Sequence, residues 1–350
     1  MLLNKTSKKI IKYTPKSIKK LIKIFLNDIA NFIDSITLPF NLIKERRIKK
    51  MWLSKKELEK YRKKIKIYDC FSFFNELEVL DIRLNILNDY VDYFVLVEST
   101  LTHSGLPKEL FYEKNKYLFK KFEHKIIHYI IENPLESFKD VQTRLNNTKI
   151  TDIEKNILEK TLISDNIDRS SIPSLRIFYQ KECIKKALIG LSDNDFCYIS
   201  DLDEIWNPEV FIDYSKNDIF KFKQDNYVYY LNNRSNENWI GWTGTIGTKY
   251  KNIKNGCINH LLTFGKNKFT IIRNGGWHFT WQGGTEKIKN KLEAYDHQEI
   301  NTDKIKRQIK DTISENKDIR GRHIKFWKDE SRLPKYLLEN KGKYEKLFIK

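Results

Sequence analysis

Apolar positions are the first ordered signal along the chain. From residue 65 they come in short runs: IKIYDCF (65–71), YFVLVES (93–99), IIHYII (126–131) and DFCYISD (195–201). Near-continuous apolar runs of this length predict strands buried on both faces of a sheet. Between them the period changes to three and four. Leu77, Leu80, Leu84 and Leu87 predict a helix over 75–91, PKELFYEKNKYLFKKF (107–122) one opened by a proline, and IPSLRIFYQKECIKKALIGL (172–191) a third. Strand, helix and strand in alternation imply βαβ units and a mostly parallel, Rossmann-type sheet. After Pro208 the runs shorten and alternate, in DIFKFKQDNYVYYL (218–231) and WIGWTGTIGTKY (239–250). These predict an added antiparallel portion. TEKIKNKLEAY (285–295) is helical again, and residues 134–171, polar and weakly periodic, read as an insertion or long surface loop. The α/β domain therefore runs over 65–301, with a C-terminal helical extension over 302–350.

Residues 1–64 follow another pattern. Ile18, Leu21, Ile22, Phe25, Ile29, Phe32, Ile33 and Ile36 share one helical face, and KERRIKK follows at 44–50. Charges interrupt the segment, so it holds no run of about 18 uncharged apolar residues able to span a bilayer. The pattern is a basic amphipathic arm. It suits an anionic membrane surface, through residues 10–50, and equally a helix packed on a protein. No secretory signal is evident, which places the chain in the cytoplasm or peripherally at a membrane.

Charge sharpens this division. The chain carries +19, but residues 1–66 hold 20 Lys and Arg against 5 Asp and Glu, leaving 45 against 41 for the rest. A nearly balanced main domain argues against nucleic acid as partner, since phosphate binding needs its cations at the binding surface. Four widely spaced cysteines without a CxxC pair suggest neither a zinc site nor a disulfide framework.

Against that background CYISDLDEI (197–205) stands out, with Asp201, Asp203 and Glu204 directly after a buried strand. In open α/β sheets ligands bind beyond the carboxyl ends of the strands. Two carboxylates two residues apart suit Mg²⁺ or Mn²⁺, commonly completed by nucleotide phosphates. The same residues also read as an Asp-rich turn or helix cap. VESTLTHSG (97–105) ends another strand in polar residues, and GGWHFTWQGG (275–284) sets glycine pairs around Trp277, His278 and Trp281. Flat aromatic faces suit sugars or bases, and glycine lets backbone approach a ligand; a tight hairpin and a core aromatic cluster would look alike.

Taken in order, DCFSFFNELEVLDIRLNILNDYVDYFVLVESTLTHSGLPKELFYEKNK (69–116), SDLDEIWNPEV (200–210) and GWHFTWQGGTEKIKNKLEAYDHQEIN (276–301) resemble glycosyltransferase family 17. Its known members include β-1,4-mannosyl-glycoprotein β-1,4-N-acetylglucosaminyltransferases. The resemblance implies a GT-A-like fold and transfer of GlcNAc, with inversion, from a UDP-linked donor to a glycan, glycoprotein or glycolipid hydroxyl. Mn²⁺ or Mg²⁺ would assist. By position it implies metal ligation by Asp201, Asp203 and His278 and donor binding by Asn75, Glu76, Glu98, Arg176, Gln180 and Asp201. It also implies acceptor binding by Trp277 and Trp281, and a general base among Glu299, Glu286 and His297. Trp206 and Asp296 depart from the family's usual residues. Two other classes stay open at this point: a metal-dependent nuclease or nucleic-acid binder, and a non-catalytic membrane-associated glycan-binding protein.

Overall fold

Ile67–Phe73 (β1) is buried almost throughout and pairs in parallel with two other apolar runs, Tyr93–Ser99 (β2) on one side and Phe196–Asp201 (β4) on the other. Ile126–Ile131 (β3) adds a fourth parallel strand beyond β2. The computed structural model describes residues 62–214, 217–236, 242–263 and 269–350, all within one compact unit. The basic arm expected over 1–64 lies outside the described residues except for its last three.

Beyond β4, Ile246–Lys249 (β9) runs antiparallel, followed by Ile219–Phe222 (β6) and Thr270–Ile272 (β10), which closes the seven-stranded order β10-β6-β9-β4-β1-β2-β3. A second, five-stranded sheet has the order β12-β8-β7-β11-β5. Its strands are Glu204–Trp206 (β5), Asp225–Val228 (β7), Asn233–Ser235 (β8), Gly276–Thr280 (β11) and Phe326–Lys328 (β12). The mostly parallel sheet with added antiparallel strands is the α/β architecture expected, and it is compatible with a GT-A-like fold. The run 218–231 splits between the sheets, with β6 in the first and β7 in the second.

Helices pack where the periodicity put them, with differences of detail. Leu77–Leu87 (α1) buries Leu80, Leu84 and Leu87. The segment 107–122 is α-helical only over Phe111–Asn115 and then becomes 3₁₀ turns over Lys116–Lys125, broken at Phe119. Phe119 and Phe122, three apart, are its buried residues, and that spacing suits the three-residue turn.

Residues 134–171 are not a loop. They contain Phe138–Leu145 (α2) and Asp152–Ile163 (α3), capped by Ser137 and Thr151, whose hydroxyls accept from the Asp140 and Glu154 amides. Leu135, Val141, Ile157 and Leu158 are fully buried in one cluster with Val95, Val97 and Tyr179. Each helix contributes so few buried side chains that its periodicity is weak. Ile172–Glu182 (α4) follows, capped by Ser171 with Pro173 in its first turn.

The segment after residue 301 is part of the domain rather than an appendage. Gly284–Ala294 (α5) and Asp303–Ser314 (α6) pack on each other, and β12 completes the second sheet. Leu333, Leu337, Tyr344, Leu347 and Phe348 join the core cluster that contains Phe71 and Leu84.

Candidate active site

Strand register brings the acidic stretch and its neighbours to one edge. Ser72 lies beside Asp201 and Phe73 beside Glu98, so β1, β2 and β4 end together. After Asp201 the chain turns and leaves the first sheet as β5, whose Glu204 pairs in antiparallel register with His278 of β11. The Phe279 amide donates to the Asp203 carbonyl at 2.8 Å, which ties the turn to that strand.

Beneath the turn lies Arg83 of α1, fully buried. Its Nε and Nη2 donate to the two Asp69 carboxylate oxygens at 2.7 and 2.8 Å. Nη1 donates to the carbonyls of Asp201, Leu202 and Glu204 at 2.9, 3.0 and 3.2 Å, and Nη2 also reaches Ser200 Oγ at 2.8 Å. Trp206 donates its indole N–H to Asp69 at 3.1 Å and stacks on Tyr198, so this departure from the family pattern belongs to the same anchor. Arg83 is the main residue that reading the sequence missed. Its signal was present: it lies three residues after Leu80, on the face that α1 buries.

Each carboxylate of the turn has a partner. Lys181 of α4 lies 3.0 Å from Asp201, and Lys291 of α5 lies 3.1 Å from Asp203 and 3.4 Å from Glu76. His278 Nε2 is 3.7 Å from Asp203 Oδ1, and Trp242 stacks on the His278 ring at 4.5 Å. Burial alone would raise the Asp203 carboxyl, but Lys291 and His278 hold it below the usual aspartate range. Glu204 goes the other way. Burial, with Asp201 and Asp203 beside it, pushes its carboxyl up to about 8. It accepts from the Asp201 amide at 3.0 Å and from the Trp242 indole at 2.5 Å.

Glu76, Asp201, Asp203, Trp242, His278 and Lys291 line a cleft of about 290 Å³, and Lys181 and Glu204 stand behind its lining. One wall comes from residues up to the acidic turn: Phe73, Phe74, Glu76, Thr102, His103, Lys108, Gln180, Asp201 and Asp203. The other comes from residues beyond that turn: Trp242, His278, Trp281, Lys291, Tyr295, His297, Arg320 and Arg322. His103 Nε2 and Gln180 Oε1 are 2.7 Å apart, and burial lowers the imidazole's pKa. His297 Nδ1 and Glu299 Oε1 are 2.8 Å apart.

Of the residues implied by the resemblance, Glu76, Gln180, Asp201, Asp203, His278, Trp281 and His297 line the cleft. The others stand back from it. Glu98 is fully buried between Lys108, at 3.0 Å, and His128, at 3.2 Å. Asn75 precedes the lining residue Glu76 and donates its amide to that carboxylate. Arg176 braces the His103 loop instead, donating to the carbonyls of His103 and Leu135 at 3.2 and 3.1 Å. Trp277, expected at the acceptor, belongs to the core cluster with its indole donating to the Arg332 carbonyl at 2.6 Å, because alternate residues of β11 face opposite ways. Glu286 is exposed in the first turn of α5, and Glu299 reaches the cleft only through His297. Lys181, Lys291 and Trp242 were not singled out from the sequence, since lysines in a charged helix and a tryptophan among glycines have no distinctive spacing.

Two carboxylates and an imidazole are the donor types that Mn²⁺ accepts, and Asp203 and His278 lie close enough together to share an ion. Among the described residues no group of three or more His, Cys, Asp or Glu side chains is arranged to hold a metal. The residues fit an ion that takes one or two carboxylates here and completes its shell with substrate phosphates.

Residues 42–176 match the model of glycosyltransferase family 17. This bears out the resemblance, and with it the enzyme class, a glycosyltransferase. The matched stretch includes Glu76, Arg83 and His103 and ends before the Asp201 turn. No curated protein matches the chain. Among the described residues no helix is long and apolar enough to cross a membrane.

Proposed function

From a chain that carries the family 17 glycosyltransferase region, we propose an inverting, metal-dependent transfer of GlcNAc from a UDP-linked donor to a glycan hydroxyl. One observation carries this reading: the acidic turn and His297, which is hydrogen-bonded to Glu299, line a single cleft. On the first wall, half-buried Phe74 offers a flat face for the base, and Lys108 offers a cation for the diphosphate. Asp203, with Asp201 and His278, would hold Mn²⁺ or Mg²⁺, which offsets charge on the leaving diphosphate when bound.

On the second wall, Trp281 and Tyr295 suit the acceptor sugar. Inversion is a single in-line displacement: the acceptor oxygen bonds to the anomeric carbon as the bond to the diphosphate oxygen breaks. That requires one general base and no enzyme nucleophile. With Nδ1–H donated to Glu299, His297 has Nε2 to take the hydroxyl proton. The basic stretch over residues 10–50 suits an anionic membrane surface that carries the acceptor.

The test is release of UDP from UDP-GlcNAc, with and without a glycan acceptor, in Mn²⁺ and in chelator. Wild type should release UDP with Mn²⁺ only, and Asp203→Asn should lose the activity. Undiminished turnover in chelator or in that variant would overturn the metal assignment.

A further inference from the structure

We propose that Lys291, paired with Asp203, and Lys181, paired with Asp201, keep a divalent cation off the acidic turn until the donor arrives, so that cation and nucleotide bind as a coupled pair. The proposal rests on the transferase reading above. Both ends of the Lys291 contact are firmly held. The Asp203 backbone is tied to β11 by the Phe279 amide. Helix α5 is fixed by fully buried Ile288 and Leu292, by the Ser104 amide donating to the Ala294 carbonyl, and by its start at Gly283 and Gly284, both with φ in the left-handed range. The flexible part is the lysine side chain, which bridges Asp203 at 3.1 Å and Glu76 at 3.4 Å.

A cation bonded to Asp203 needs the carboxylate charge that Lys291 already offsets, and the same holds for Asp201 with Lys181 at 3.0 Å. Asp201, Asp203 and His278 together are also too few donors for an octahedral ion. A nucleoside diphosphate changes both terms. Its oxygens complete the ion's shell, and its negative charge gives Lys291 another anion in the same cleft. Each ligand then raises the affinity for the other, and the coupling is reciprocal, typically about 5–150-fold.

The experiment titrates Mn²⁺ into the full chain with and without UDP, following the signal of free aqueous Mn²⁺ by electron paramagnetic resonance. In wild type, UDP should tighten Mn²⁺ binding about tenfold or more. Lys291→Met should bind Mn²⁺ about tenfold tighter than wild type when UDP is absent, with most of the coupling lost. Lys291→Arg, which keeps the charge, should follow wild type, and Lys181→Met gives a second charge-removing variant should Lys291→Met not fold. If wild type binds Mn²⁺ with UDP but both methionine variants keep its weak UDP-free affinity, the inference is overturned and the metal-dependent reading survives. If Mn²⁺ binds to no form even with UDP, the metal-dependent reading fails and takes the inference with it.

Discussion

Arg83 and Asp69 form a fully buried pair joined by two hydrogen bonds of 2.7 and 2.8 Å, and the third guanidinium nitrogen holds the main-chain carbonyls of the acidic turn. Helix α1 and strand β1 thereby fix Asp201 and Asp203 from beneath. Arginine suits this role because its planar fork serves a carboxylate and several carbonyls at once. Replacing it with methionine leaves Asp69 buried without its partner, which costs about 3–5 kcal/mol. Arg83→Met should therefore unfold at much lower urea. Arg83→Lys should recover only part of the loss, since an ammonium cannot span both partners. Near wild-type midpoints for both variants would refute the anchoring role.

Gly244 tests the same turn from the other side. A Cβ there would sit 2.0 Å from Glu204 Oε1. Glu204 cannot easily yield, because the Trp242 indole and the Asp201 amide already hold it. Overpacking of this kind costs about 1–3 kcal/mol. Gly244→Ala should lower stability by that amount and weaken UDP binding, because Glu204 carries the Asp201 amide with it. Gly342→Ala is the control: nothing lies within 4 Å of its Cβ, and its stability should match wild type. Equal UDP affinity in Gly244→Ala and wild type would sever Glu204 from the donor site.

Where the pattern along the chain is strong, it predicts the structure. The continuous runs of β1, β2, β3 and β4 became adjacent parallel strands, and the acidic turn emerged at their carboxyl edge as the topology requires. Short elements escaped because their identity is tertiary. Helices α2 and α3 bury too few side chains each to show a period, and β12, three residues long, is a strand only because β8 lies beside it. The ion pairs were hidden for a related reason. Lys291 falls in TEKIKNKLEAY among other lysines, and nothing local distinguishes the one that pairs with Asp203 from Lys287, which pairs with Glu78.

Glu204 gives a pH dependence with a definite sign. Burial and the neighbouring carboxylates raise its folded value to about 8, while an unfolded glutamate titrates near about 4.3. Its stabilising contribution is therefore complete below about pH 4.3 and declines as pH rises toward about 8. Urea midpoints in chelator should fall for wild type between pH 5 and 8, and Glu204→Gln should flatten this slope. Parallel curves would mean that Glu204 is ionised in the folded protein throughout.

The proposed mechanism separates a catalytic group, His297, from the residue that positions it, Glu299. His297 lines the cleft, whereas the Glu299 carboxylate is exposed and meets it only through Nδ1, at 2.8 Å. Losing a general base typically lowers turnover by about 10²–10⁴-fold, so His297→Asn should lose kcat on that scale with UDP affinity unchanged. Glu299→Gln keeps a hydrogen-bond acceptor for Nδ1–H but removes the charge that stabilises the protonated ring. Its kcat should fall less, with the KM for donor unmoved. Glu286→Gln, exposed and outside the cleft, should behave as wild type in the same assay. If His297→Asn retained full turnover while Glu286→Gln lost it, the base would have to be sought at the start of α5.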